Sequence, residues 1–193
     1  MFYHSALKNK AITYTGIKET TRIEHHNGIM MKHDFVSNGL APEFDECDFL
    51  YSEPPYAPSG LKVFNERAGV NDRTFKDLLE SISRIVTAWT KPIYLIMSET
   101  NLKKLPNPDV IAQTTLNGDS VFLGVWNESN PILDSTTQSI CFALGSKYSC
   151  MGDFTCGYGY PIKSFINGGG KRFVASDYDG KCITVISSQM RKL

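Results

Sequence analysis

"MGDFTCGYGYPIKSFINGGGKRFVASDYD", Met151 to Asp179, is the stretch on which the fold turns. It reads as a strand ending at Asp153, a Gly-x-Gly turn at Gly157–Gly159, a short helix "IKSFIN" opened by Pro161, and a second strand "RFVASD" ending at Asp177. Glycines at such a turn let the backbone approach a ligand closely, and the helix that follows offers free N–H groups. An acid at the tip of the next strand can accept both hydroxyls of a ribose, and Asp177 stands 20 residues after Gly157. Ile162 replaces the third glycine of the dinucleotide pattern, which favours a smaller nucleoside ligand over NAD or FAD. Taken alone, the stretch serves equally well as a tight turn followed by a surface acid.

Upstream lies "FLYSEPPYAPSG", Phe49 to Gly60. The apolar run of "CDFLY" reads as a buried strand, and two prolines without N–H donors forbid its continuation. Glu53, Pro54, Pro55 and Tyr56 are therefore presented just past a strand end, as a rigid cap or as a site. With the Gly-x-Gly loop, the chain holds two signals at carboxyl ends of predicted strands, the edge where open α/β sheets bind ligands.

Between and around these stretches the pattern alternates. "HNGIMMKHDF" gives a weak strand near His33–Asp34, and "AITYTG" a short one before it. A helix begins near Asn71–Asp72 and carries Phe75, Leu78, Leu79, Ile82, Ile85, Val86 and Trp89 on one face. "PIYLIMS" is a strand, "NLKKLPNPD" a loop, and Asn117–Gly118 the turn of a hairpin. "STTQSICFALG" reads as a helix closed by Gly145, and "GKCITVISSQM" as a final helix followed by Arg191 and Lys192. The expected fold is a Rossmann-like α/β domain, mostly parallel with a late antiparallel hairpin, helices on both faces, and residues 1–193 in one domain. Ala57–Val70 is expected to be a mobile loop beside the catalytic edge, with Lys62 and Arg67 within reach of phosphates.

Composition narrows the partners. Twenty basic residues balance twenty acidic ones in 193, so nucleic acid must be held by a local patch or with help from a partner. The five cysteines include no Cys-x-x-Cys pair, and the four histidines lack metal-ligand spacing, so no metal is expected. No apolar run reaches membrane-spanning length, and the expected compartment is the cytoplasm.

In combination, "DFLYSEPPY" resembles the catalytic strand of the nucleic-acid amino-methyltransferases, and "GDFTCGYG" resembles their S-adenosylmethionine loop. "FVASDYD" is similar to their ribose-binding strand, and "MKHDF" resembles the strand whose acid, Asp34 here, approaches the adenine of the cofactor. The catalytic signature precedes the cofactor loop, which is the permuted order of that family's beta group, and "STTQSICFALG" sits where the group has a helix closing over the methionine moiety. The likeness runs from about Ile29 onwards. It implies S-adenosylmethionine as cofactor, held by Asp153, Phe154, Gly157, Gly159, Asp177 and Asp34. It also implies a nucleic-acid substrate, DNA ahead of RNA. Glu53 and the Pro54 carbonyl would accept the amine N–H groups, and Tyr56 would stack on the base. Two departures stand out. Glu53 occupies a position where the family has Asp, Asn or Ser, and Ser52 offers an alternative register that does not directly precede the prolines. The segment from Ala57 to Pro131 is consumed by core elements, which leaves no separate target-recognition domain. A protein partner supplying recognition, or a catalytically weak member of the family, follows from those departures.

Overall fold

The computed structural model describes residues 21–70 and 72–190. Among these, eight strands form one sheet in the order β1-β2-β8-β7-β3-β4-β6-β5. They are β1 (Arg22–His25), β2 (Gly28–Lys32), β3 (Phe49–Ser52), β4 (Ile93–Met97), β5 (Val110–Leu116), β6 (Asp119–Trp126), β7 (Cys150–Asp153) and β8 (Arg172–Asp177). The helices are α1 (Phe35–Asn38), α2 (Pro58–Ala68), α3 (Phe75–Ala88), α4 (Glu99–Leu102), α5 (Thr137–Lys147), α6 (Tyr160–Asn167) and α7 (Gly180–Met190), with a 3-10 turn at Pro42–Glu46.

Strands β2, β8, β7, β3 and β4 pair in parallel. The β5–β6 hairpin joins β4 antiparallel, and β1 joins β2 antiparallel. Every residue of β3, β4 and β7 is buried, as a parallel strand covered on both faces requires. Alternation along β3 sends Leu50 to a cluster with Leu61, Leu78 and Ile82 from α2 and α3. It sends Phe49 and Tyr51 to one with Ile140, Leu144 and Phe165 from α5 and α6. Met30, Phe173 and Ala175 meet α7 through Ile183 and Ile186.

The two crossovers run in opposite directions. From β7 the chain passes through α6 to β8, and from β3 through α2 and α3 to β4. The gap between β7 and β3 is therefore the switch point, where two diverging loops leave a crevice beyond the carboxyl ends.

Some elements differ from expectation. Ala57–Val70 is not a loop: α2 fills it, opened by Pro58 and closed by Gly69 at φ 71°, whose N–H bonds the Asn65 and Glu66 carbonyls. α3 starts later than Asn71–Asp72, because Thr74 and Asp77 form a reciprocal capping box. The segment "NLKKLPNPD" begins inside the single turn of α4. β1, just upstream of the strand expected in "HNGIMMKHDF", makes a hairpin with β2. Gly145 does not end α5, which continues to Lys147. Its lack of a side chain admits the neighbouring helix: a Cβ there would lie 2.1 Å from the Phe165 carbonyl oxygen, and one at Gly168 would lie 1.9 Å from that of Phe142. "AITYTG", Arg191 and Lys192 lie outside the described residues.

Candidate active site

At the switch point the last residues of β3 and β7 are tied together by one side chain. The Thr155 hydroxyl lies 2.5 Å from the Ser52 hydroxyl and accepts the Glu53 N–H at 3.1 Å. The Thr155 N–H donates to Asp153 Oδ1 at 3.1 Å. Parallel pairing ends at Tyr51 and Asp153, so Thr155 continues the stitching beyond the ladder and fixes where Glu-Pro-Pro-Tyr leaves the sheet. Ser52 is fully buried with its hydroxyl engaged, and does not face the crevice as a substitute acceptor. Pro54 is buried, and the Tyr56 carbonyl accepts from Asn101 Nδ2 at 2.9 Å. The Tyr56 ring is half-buried between the core clusters of the two faces.

Glu53 is half-buried as a residue, but its carboxyl turns inward. It accepts the Tyr51 hydroxyl at 2.5 Å, and the Thr137 side chain at the start of α5 is a neighbour that favours its charged form. Burial pushes Glu53 above the usual carboxylate range, while those two hydroxyls pull it back. Burial also pushes Asp153 well up; its bond from the Thr155 N–H opposes this, and the charges of Glu53 and Asp177 add to it. Asp177 is pushed up to about 6 by burial, against N–H bonds from Asp179 at 2.9 Å and Gly157 at 3.0 Å. Three desolvated carboxyl groups thus converge on one sheet edge. That donor set suits a cationic ligand, whose charge would lower all three together.

The cofactor-type loop has the backbone its glycines allow. Gly157 and Gly159 sit at φ 49° and 77°, in the left-handed region, and Gly159 caps α6. Phe154 is 1% exposed and packs edge-on against Phe35 at 4.9 Å, so its ring belongs to the core and its backbone to the loop. Asp34 caps α1 through the Val36 N–H and binds Ser37 and the Arg73 guanidinium, so its carboxylate is already occupied. Lys62 and Arg67 lie on α2, about 140° apart around the helix, and do not form one patch. Lys62 is exposed beside Asn65 and Glu66, while Arg67 lies over the Phe64 ring at 5.8 Å. Among the described residues there is no group of three or more His, Cys, Asp or Glu that could hold a metal ion, and no helix long and apolar enough to cross a membrane.

Sequence reasoning missed Thr155, Thr137, Arg73 and Tyr178. Tyr178 had a signal in its place next to Asp177. Thr155 lies inside the quoted loop but its partners do not, and Thr137 and Arg73 reach the site by tertiary packing.

A mostly parallel sheet with its switch point between β7 and β3 is a Rossmann-like α/β fold. The chain shares it with the crystal structure of M1.HpyAVI, with a TM-score of 0.52 and 12% identity over 83% of this chain and 97% of that one. The M1.HpyAVI-SAM complex gives a TM-score of 0.54 and 11% identity over 84% and 98%. At such identity the likeness is one of fold. No protein-family model matches the chain, and no curated protein matches it in sequence.

Proposed function

We propose that this chain is an S-adenosylmethionine-dependent methyltransferase acting on an exocyclic amine of a nucleobase, with adenine in DNA as first choice. The observation that carries the reading is the meeting of Glu-Pro-Pro-Tyr and the Gly157–Gly159 loop at one switch point, joined through Thr155. The M1.HpyAVI-SAM complex, which has this fold, adds support.

The residues present fit such a cofactor. Asp177 would accept ribose hydroxyls, and the first turn of α6 would offer backbone donors. Three buried carboxyls suit a molecule carrying ammonium and sulfonium charge. The bound cofactor would supply an electrophilic methyl group.

The chain's own residues prepare the nucleophile. A base amine is weakly nucleophilic because its lone pair is conjugated into the ring. An acceptor on each N–H, the Glu53 carboxyl and the Pro54 carbonyl, favours a pyramidal nitrogen, and the prolines hold that carbonyl rigid. The amine held by Glu53 and Pro54 would take the methyl group and then lose a proton to solvent. Tyr56 supplies a stacking face for a base that is flipped out or single-stranded. The work is mainly positioning. Target choice would come from a protein partner.

One observation favours a second reading, a catalytically weak protein that binds cofactor: the Glu53 carboxyl is turned onto Tyr51 and Thr137. Methyl transfer from labelled cofactor to mixed DNA and RNA, with parallel calorimetry of S-adenosylhomocysteine, separates them. Transfer by the parent, reduced but not abolished in Glu53→Gln, supports the enzyme, since an amide oxygen still accepts a hydrogen bond. Transfer by Glu53→Asp alone supports the second reading. Absence of S-adenosylhomocysteine binding removes both.

A further inference from the structure

Beside Asp177 the strand ends hold an arrangement in which Arg73 already occupies Asp34. Lys32 of β2 pairs with Asp177 of β8, and the His33 N–H bonds the Asp177 carbonyl at 2.9 Å, which brings Asp34 next to Tyr178. The guanidinium of Arg73 lies 5.0 Å over the Tyr178 ring and is ion-paired with Asp34. Its side chain is only 5% exposed. Asn65 Nδ2 donates to the Arg73 carbonyl at 2.9 Å, so α2 pins the backbone from which the side chain reaches. Two cavities, of about 280 and 330 Å³, both have Val70 and Arg73 in their lining, and the second has Asp34 as well. The Tyr178 hydroxyl is buried and has no hydrogen-bond partner among the described residues.

An aromatic face beside a carboxylate is a receptor for one kind of group: flat, delocalised and carrying N–H donors in its plane. A guanidinium is such a group. An aminopurine is another, with a π face to stack and an exocyclic N–H to donate. We propose that Arg73 stands in for a purine ring at the Asp34–Tyr178 pocket, closing it in the empty protein, and that an adenine-bearing ligand must displace it. The inference rests on the adenosyl ligand placed beside Asp177 under the proposed function. It goes further by making the empty site self-occupied. The apparent affinity is then the intrinsic affinity reduced by the fraction of molecules in which Arg73 has left.

Calorimetry with two probes, adenosine and S-adenosylhomocysteine, tests this on the full chain, on Arg73→Met and on Arg73→Lys. Arg73→Met keeps an unbranched side chain without the guanidinium and should bind adenosine about tenfold more tightly than the parent. Arg73→Lys keeps the ion pair but is a point charge, not a flat stacking group, and should fall between. It also decides the matter if the methionine variant does not fold. Tighter binding of both probes supports the proposal. Tighter adenosine binding with no S-adenosylhomocysteine binding supports it and removes the cofactor reading. If the parent binds S-adenosylhomocysteine and the variants bind it equally or more weakly, Arg73 is a bystander or a ligand contact. The proposal then falls while the cofactor reading stands. No binding of either probe to any variant overturns both.

Discussion

Strands β3 and β7 are treated in opposite ways at their two ends. At the amino ends the polar groups are matched. Asp48 accepts the N–H groups of Ser149 and Cys150 at 2.8 Å each, and the Lys91 ammonium donates to the Asp45 and Cys47 carbonyls at 2.8 Å each. Arg172 pairs with Glu46 at 2.7 Å. At the carboxyl ends the same sheet delivers Glu53, Asp153 and Asp177 into low-dielectric surroundings, held by hydroxyl and backbone N–H donors, with burial raising all three. One edge is built for stability, and the other carries an electrostatic cost that a cationic ligand would offset.

The largest test of that contrast is Asp177→Asn. Folded Asp177 ionises near 6, whereas an unfolded aspartate ionises near about 3.9. Between those values the native state keeps a proton that the unfolded chain has released. Its contribution to stability is therefore present below the window, falls as pH rises through it, and stays low above about 6. Asparagine carries no charge to desolvate. Denaturant melts should show the parent losing about 3 kcal/mol of stability across that window, and the variant a flatter profile between the two pKa values. S-adenosylhomocysteine binding should weaken about 100-fold, since bonds to a charged acceptor are the strong ones. A variant that keeps the parent's slope instead would mean the carboxyl edge is not strained.

Tyr56→Ala separates the two halves of the site itself. Loss of a stacking platform, roughly 1–3 kcal/mol, should lower target methylation about tenfold and leave S-adenosylhomocysteine affinity unchanged. Equal losses in both measurements would show that the ring supports the cofactor loop. At the opposite edge, Asp48→Ala should cost about 1–2 kcal/mol in a thermal or denaturant melt, because two N–H donors lose their acceptor. It should leave ligand binding untouched, and a change in affinity would break the division between edges. The smallest effect is expected on α2. Replacing Lys62 and Arg67 by Gln should lower the salt dependence of DNA binding by about one ion per cation that touches phosphate. Their separation around the helix predicts unequal contributions, measurable one variant at a time.

Much of the fold is written locally. β8 occupies the run "RFVASD", and the Asn117–Gly118 turn has φ 53° and 87°, as its residue types demand. α2 is hard to read because it buries only Gly60, Leu61 and Asn65, too little for an apolar stripe, and its clues are the flanking Pro58 and Gly69. At the site, the link from Tyr51 to Glu53 follows from strand alternation, since residues two apart share a face. The links from Ser52 and Glu53 to Thr155 span 103 and 102 residues and exist only once β3 and β7 are neighbours. Phe154 shows that a side chain inside a ligand-loop pattern can pack in the core, which the loop pattern by itself does not indicate.

The close approach of α5 and α6 has a mechanical consequence. Their backbones meet at Gly145 and Gly168 with no room for a methyl group. Neither helix can slide or tilt there without carrying the other. α6 begins directly after Gly159, and α5 begins at Thr137. The packed helix pair therefore runs from the glycine loop at the start of α6 to Thr137, beside Glu53, at the start of α5.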